Sequence, residues 1–191
     1  AYMNIQVKDT AIAVLKVAKE ATNDNEEKAR YTFILGQLYE NLQYNDSAYA
    51  TFQEVIDMNR KSPRRYVVQS HAKQALQFDY KKGDTLAFVE KFNKLLEDRE
   101  NRPYLDVLNH QMGIFYDKQG LNQKAKLYYN KSIKSVSQDS YLVSSNYRNI
   151  GEIYFKEAQY KTAGKYYDST LLRLNDRTRE YRKIKKKRDN L

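Results

Sequence analysis

The chain has 191 residues, a formal net charge of +10 and no cysteine, with 41% hydrophobic residues, eighteen tyrosines, six glycines and two prolines. Without cysteine it can form no disulfide, thiolate metal site or cysteine nucleophile, and no apolar run approaches the roughly 18 residues of a membrane span. The hydrophobic content can bury a substantial core, and so few breakers suit helices joined by short polar links.

Residues 1–21 carry Ile5, Ala11, Ile12, Leu15 and Ala18 at helical spacing, with Asp9 or Thr10 as cap. This reads as the second helix of a unit. Because the sequence also opens on Ala, it is expected to be part of a longer protein, with any targeting signal or lipid anchor outside it. Asp24 or Asn25 caps a helix through about Leu42, with Glu26 and Glu27 favourable in its first turn, and Asn45 or Asp46 opens another to about Asn59. Ser62-Pro63 reads as a cap followed by proline at the first helical position, for a helix to about Lys81 that Gly83 closes. Asp84 caps the next helix to about Asp98, Asn101-Arg102-Pro103 repeats the start signal, and Gly120 with Asn122 repeats the turn. Asp139 or Ser140 opens a further pair, whose second helix spans about Tyr160 to Leu174.

These helices repeat one frame. Tyr147, Ile150, Gly151 and Tyr154 are followed by Ala163 and Tyr167; Asn109, Met112, Gly113 and Tyr116 by Ala125 and Tyr129; Thr32, Leu35, Gly36 and Tyr39 by Ala48 and Phe52. A weaker copy has Ala75, Phe78 and Ala87. The pattern resembles the tetratricopeptide repeat, in which a small residue lets two antiparallel helices approach and large residues fill the surrounding groove. The expected fold is therefore all-α, a tetratricopeptide-like α-solenoid over 1–191. It comprises a partial unit at 1–21, units at about 25–60, 62–99, 102–137 and 139–175, and a basic helix at 177–191. The small positions recur every 38 or 39 residues, against about 34 for the usual repeat, which predicts helices about one turn longer.

Catalysis has little to stand on. His71 and His110 are the only histidines, with no nucleophile, spaced carboxylate cluster or glycine-rich phosphate loop beside them. No catalytic residue, cofactor, metal or small-molecule substrate is expected. Binding is the usual work of stacked helices, whose first helices line a concave face. Register places Phe33, Gln37 and Glu40 there, then Ala72, Leu76 and Asp79, then His110, Ile114 and Asp117, then Arg148, Glu152 and Phe155. This mixture suits a peptide or partner helix, although contacts on the convex side or edges remain an alternative. Most of the tyrosines read as packing residues with the hydroxyl at the rim.

Charge is polarised along the chain, from −2 over residues 1–62 through +3 over 63–105 and +2 over 106–146 to +7 over 147–191. The last stretch holds Arg179, Arg182, Lys183, Lys185, Lys186, Lys187 and Arg188, on a helix whose buried side is Tyr181 and Ile184. It reads as a solvated truncated helix, a patch for an acidic protein or lipid surface, or a nucleic-acid contact; no recognition module or stacking platform supports the last.

Residues 28–39 (KARYTFILGQLY), 59–63 (NRKSP), 100–103 (ENRP), 166–170 (YYDST) and 184–191 (IKKKRDNL) resemble the repeat region of the PorW/SprE lipoproteins of Bacteroidota. The resemblance covers the whole sequence as one part of a larger family protein. It implies a periplasmic lipoprotein anchored at the outer membrane, serving type IX secretion and gliding motility by linking the translocon to ring and motor components. The expected partners are those subunits; the membrane is reached only through an anchor outside this sequence. The lipidated cysteine of that family is absent here. The carboxylate clamp that holds chaperone C-termini in some tetratricopeptide proteins uses Lys and Asn, and Arg148 with Glu152 departs from it. The expected function is a non-catalytic protein-interaction scaffold. A general peptide-binding adaptor and an RNA-binding repeat protein are the other readings.

Overall fold

The structure, a computed structural model, describes residues 5–135 and 139–191, and every regular element among them is helical. Two compact units divide the chain, Ala1–Asp79 and Tyr80–Leu191. The first contains α1 (Ile5–Ala21), α2 (Asn25–Asn41), α3 (Asn45–Asp57) and α4 (Arg64–Leu76). The second contains α5 (Thr85–Glu97), α6 (Leu105–Lys118), α7 (Asn122–Lys134), α8 (Ser140–Lys156), α9 (Tyr160–Leu171) and α10 (Arg179–Asp189). Neighbours in sequence pack together: α1 on α2 and α3 on α4 in the first unit, α5 on α6, α7 on α8 and α9 on α10 in the second.

Three tight helix pairs, α2–α3, α6–α7 and α8–α9, share one turn. The middle link residue takes a left-handed backbone in each: Gln43 (φ 62°), Gly120 (φ 73°) and Ala158 (φ 58°). The next N–H then bonds back five residues, from Tyr44 to the Tyr39 carbonyl, Leu121 to Tyr116 and Gln159 to Tyr154, each at 2.9 Å. This is a Schellman closure, which satisfies the last carbonyls of the first helix. The same link residue opens the second helix, since Ala48, Ala125 and Ala163 donate to the carbonyls of Tyr44, Leu121 and Gln159. Those three alanines are fully buried.

The small position explains the rest of the frame. A Cβ built on Gly36 would lie 2.7 Å from the Phe52 ring, and one on Gly151 2.8 Å from the Tyr167 ring; one on Gly113 would overlap the ring of Tyr129. Each ring belongs to the second helix of the pair and is itself buried, so glycine is where an aromatic side chain lies flat across the first helix. Asp24, Asp84 and Asp139 cap α2, α5 and α8 through backbone N–H groups, as their positions predict.

Several boundaries differ from expectation. Asp9 and Thr10 do not start α1, which is already helical at Ile5; both face solvent, where a polar residue need not break the helix. Ser62 is extended, as a residue before proline tends to be, and Pro63 takes the cap position with ψ 132°, so α4 begins at Arg64. That helix ends at Leu76, not near Lys81, and Gly83 has no positive φ. Beyond Phe78 the sequence offers mainly charged residues and glycine, with no apolar stripe to hold another turn. Pro103 sits inside a 3-10 segment, Arg99–Tyr104, where buried Asn101 donates to the Leu95 carbonyl at 2.7 Å, and α6 starts at Leu105. Ala87 is exposed rather than at a helix crossing, and α5 buries Phe88 and Phe92, with Phe88 stacked on Phe115 at 4.0 Å. The stretch 62–99 is thus divided between the two compact units, with α4 in the first and α5 in the second.

The longer repeat is only partly in the helices. α2 and α8 reach 17 residues, but α3 and α7 have 13 and α9 has 12. The surplus also lies in the connections 58–63 and 172–178 between a second helix and the next first helix. The expected end of the third unit, at 137, lies outside the described residues.

Candidate protein-binding faces

In the first unit, Phe33 is buried, its ring against Phe52 and Tyr66 at 5.6 and 5.5 Å, and Ala72 is buried with it. Both lie within the packing. Gln37 and Glu40 are half-buried, while Leu76 and Asp79 are exposed. Glu40 of α2 accepts from the Lys73 ammonium of α4 at 2.6 Å, so one rung of charge ties the two first helices together along this face.

In the second unit, His110 belongs to a buried polar chain that the sequence reading missed. Its Nδ1 faces Asn146 Oδ1 at 2.7 Å; Asn146 Nδ2 donates to Ser132 Oγ, and Ser132 donates to the Asp106 carbonyl, both at 2.7 Å. Asn146 Oδ1 can only accept, so the imidazole donates from Nδ1. Burial holds its pKa below the usual histidine value, against the opposing effect of the Asn146 hydrogen bond. It is thus a neutral packing residue joining α6, α7 and α8. Ile114 is half-buried, and Asp117 accepts a hydrogen bond from the Tyr129 hydroxyl at 3.3 Å. Desolvation, and then the nearby Asp117 charge, push the Tyr129 hydroxyl far above the ordinary phenol range.

Arg148, Glu152 and Phe155 stand together with the basic helix. α10 begins at Arg179, where the Thr178 hydroxyl caps it, and buries Ile184 against Ala163 and Tyr167; Tyr181 is half-buried. Arg148 pairs with Glu180. Lys187 donates to Glu152 at 2.6 Å while its ammonium lies 4.0 Å from the centre of the Phe155 ring. The Tyr167 hydroxyl donates to Glu152 at 3.0 Å, and Arg188 pairs with Asp168 at 2.6 Å. Lys185 pairs with Asp189 one turn on, leaving Arg179, Arg182, Lys183 and Lys186 exposed and without an ion pair among the described residues. Between α8 and α10 runs a groove of about 450 Å³, lined by Arg148 and Glu152 on one side and Arg179, Glu180, Lys183, Ile184 and Lys187 on the other.

The tyrosines also find a common use. Tyr116 stacks on Tyr128 and Tyr154 on Tyr166, at 5.3 and 5.4 Å, and cations cap several rings: Lys126 over Tyr154, Lys131 over Tyr128, Arg173 over Tyr147. They are amphipathic packing residues that lysine and arginine stems cover.

No three His, Asp or Glu side chains among the described residues could hold a metal ion, and no described helix is long and apolar enough to cross a membrane.

Residues 29–62 and 108–135 match the family model of the tetratricopeptide repeat. The chain carries a tetratricopeptide-repeat region. The fold is accordingly a tetratricopeptide-like α-solenoid of antiparallel helix pairs, and such repeats generally serve as non-enzymatic scaffolds that bind protein partners. The matched stretches cover α2–α3 and α6–α7. The α8–α9 pair lies outside them but repeats the same turn, the same buried alanine and the same glycine beneath an aromatic ring. No curated protein matches the chain.

Proposed function

We propose that this tetratricopeptide-repeat region is a non-catalytic scaffold of the type IX secretion and gliding machinery, linking the outer-membrane translocon to ring and motor components. It belongs, on this reading, to a periplasmic lipoprotein held at the outer membrane. The observation that carries the scaffold part is the repeated helix pair, whose recurring turn and glycine–aromatic contact fix each first helix against its own second helix, while both histidines are buried in packing. The secretion part rests on the resemblance of the five quoted stretches to the PorW/SprE repeat region. Partners would meet the exposed and half-buried members of the expected face: Gln37, Glu40, Leu76 and Asp79 in one unit, Ile114, Asp117, Arg148, Glu152 and Phe155 in the other.

A surface without chemistry should abolish a process, not a reaction, when it is lost. Deleting this region from the full-length protein is expected to block release of type IX cargo while the translocon pore still assembles, and to remove ring or translocon subunits from what co-purifies. Normal secretion with an unchanged set of co-purifying proteins would exclude the secretion role and leave a general adaptor.

A further inference from the structure

The groove between α8 and α10 carries an imbalance of charge with a defined geometry. Four of its lining residues are cationic and two are carboxylates. Both carboxylates are already used, Glu180 by Arg148 and Glu152 by Lys187, so two ion pairs cross the groove and hold its walls together. Glu152 is further committed to the Tyr167 hydroxyl. Arg179 and Lys183 remain, both exposed on the α10 lip and neither in an ion pair among the described residues. They are four residues apart on a helix, so their Cβ atoms stand about 5–6 Å from one another on the same side.

That spacing selects a shape as well as a sign. In an extended chain alternate side chains point the same way, and with a rise of about 3.3 Å per residue they are roughly 6.6 Å apart. Two carboxylates at alternate positions of an extended segment therefore meet Arg179 and Lys183 together, whereas acidic neighbours in sequence point to opposite sides. Arginine and lysine divide the work: the Arg179 guanidinium can take one carboxylate in a two-pronged bond, and Lys183 acts as a compact charge. The stems of the long cationic residues supply apolar surface along the groove for the backbone and side-chain methylenes to lie on.

We infer that the α8–α10 groove docks an extended acidic segment of a partner protein, with Asp or Glu at alternate positions held by Arg179 and Lys183. This inference rests on the scaffold reading and names the chemistry of one partner of that face. It gives the basic helix a specific use, in which only its Arg179–Lys183 side reads the partner. The rest of its charge stays in solvent or is spent within the protein.

The test uses the whole 191-residue chain and fluorescence anisotropy with a short labelled peptide alternating Glu and Thr. The comparison peptide has Gln in place of Glu. Arg179→Glu with Lys183→Glu is set against Lys161→Glu with Lys165→Glu, an exposed pair at the same spacing on α9 that makes the same change in net charge; circular dichroism checks that both variants stay helical. The inference predicts saturable binding of the Glu peptide alone, weakened tenfold or more by the first variant and less than twofold by the second. Equal weakening by both variants would mean general attraction to a basic protein and overturn it, as would absence of binding. A labelled oligouridylate that binds more tightly than the peptide and responds to the same variant would replace it with a nucleic-acid site. Failure of the scaffold reading looks different, because the deletion experiment would then show no missing subunits whatever the peptide does. If only this inference fails, the full-length Arg179→Glu, Lys183→Glu protein still brings down its subunits.

Discussion

Gly151 of α8 lies directly beneath the ring of Tyr167 of α9, so close that a methyl group on it would come within 2.8 Å of the ring. Gly36 under Phe52 and Gly113 under Tyr129 repeat the relationship at the same offset of 16 residues. Overpacking at such a site costs about 1–3 kcal/mol. Gly151→Ala and Gly113→Ala should therefore each lower Tm, with leucine at either position costing more. Gly164 is the internal comparison: it is also helical, but the nearest atom to a new Cβ is Leu191 Cδ1 at 3.8 Å. Gly164→Ala should stabilise by about 0.5–1 kcal/mol. Thermal melts that show the same sign for Gly151→Ala and Gly164→Ala would remove the packing argument.

The shared turn gives an independent check. Gln43 and Ala158 hold the left-handed backbone that Gly120 adopts freely, at a cost of about 1–2 kcal/mol for a residue with a Cβ. Ala158→Gly and Gln43→Gly should be neutral to stabilising by up to about 1 kcal/mol, although each adds flexibility to the unfolded chain. Gly120→Ala should destabilise, although nothing lies within 4 Å of the added methyl. Denaturant midpoints with unchanged slopes would establish these signs.

His110 makes stability depend on pH. Burial depresses its pKa in the folded state, chiefly by desolvation, with the Arg148 charge acting in the same direction and Asn146, Asp139 and Asp106 opposing. Below the unfolded value of about 6.5, the unfolded chain takes up a proton that the folded chain resists. Stability from this residue is present above that pH and falls as pH drops through it. Unfolding free energy should decline between pH 7 and pH 5, and less steeply in His110→Gln; identical slopes would show that the buried chain is not titrating.

The basic helix is held by charge as much as by burial. Among the described residues Ile184 is its one buried apolar residue, and the Arg148–Glu180, Lys187–Glu152 and Arg188–Asp168 pairs, partly open to water, add to its hold. Such pairs contribute about 0.2–1 kcal/mol each and weaken with salt. Hydrogen exchange in residues 179–189 should accelerate in Glu152→Gln and at high salt, while α8 and α9 keep their protection. Uniform acceleration across all three helices would show that α10 is an integral part of the α8–α9 fold and not a latch upon it.

The sequence was legible where a residue type has one physical use. Gly36, Gly113 and Gly151 announced helix crossings, and Asp24, Asp84 and Asp139 announced helix starts, because small size and a short acceptor serve those places directly. Ala87 followed the same spacing but is exposed, because alanine is at home in any helix and its presence does not require a neighbour. Proline at 63 and 103 misled by a residue or two, since its fixed φ also suits an extended cap or a 3-10 turn. The face residues were placed by register alone, which cannot tell that Phe33 packs inward or that Glu152 already holds Lys187 and Tyr167. Asn146 and Ser132 carried a signal that was not used: two polar residues on helix faces that their neighbours mark as buried must satisfy each other.

The most direct test of the scaffold account is site-specific photo-crosslinking in living cells. The crosslinking residue replaces Gln37, Ile114 or Arg179 on the proposed faces, or Lys161 on the exposed side of α9 as a comparison. The account predicts adducts with translocon or ring subunits from the three face positions and none from Lys161. Adducts from Lys161 alone would contradict it and place the contacts on the outer helices.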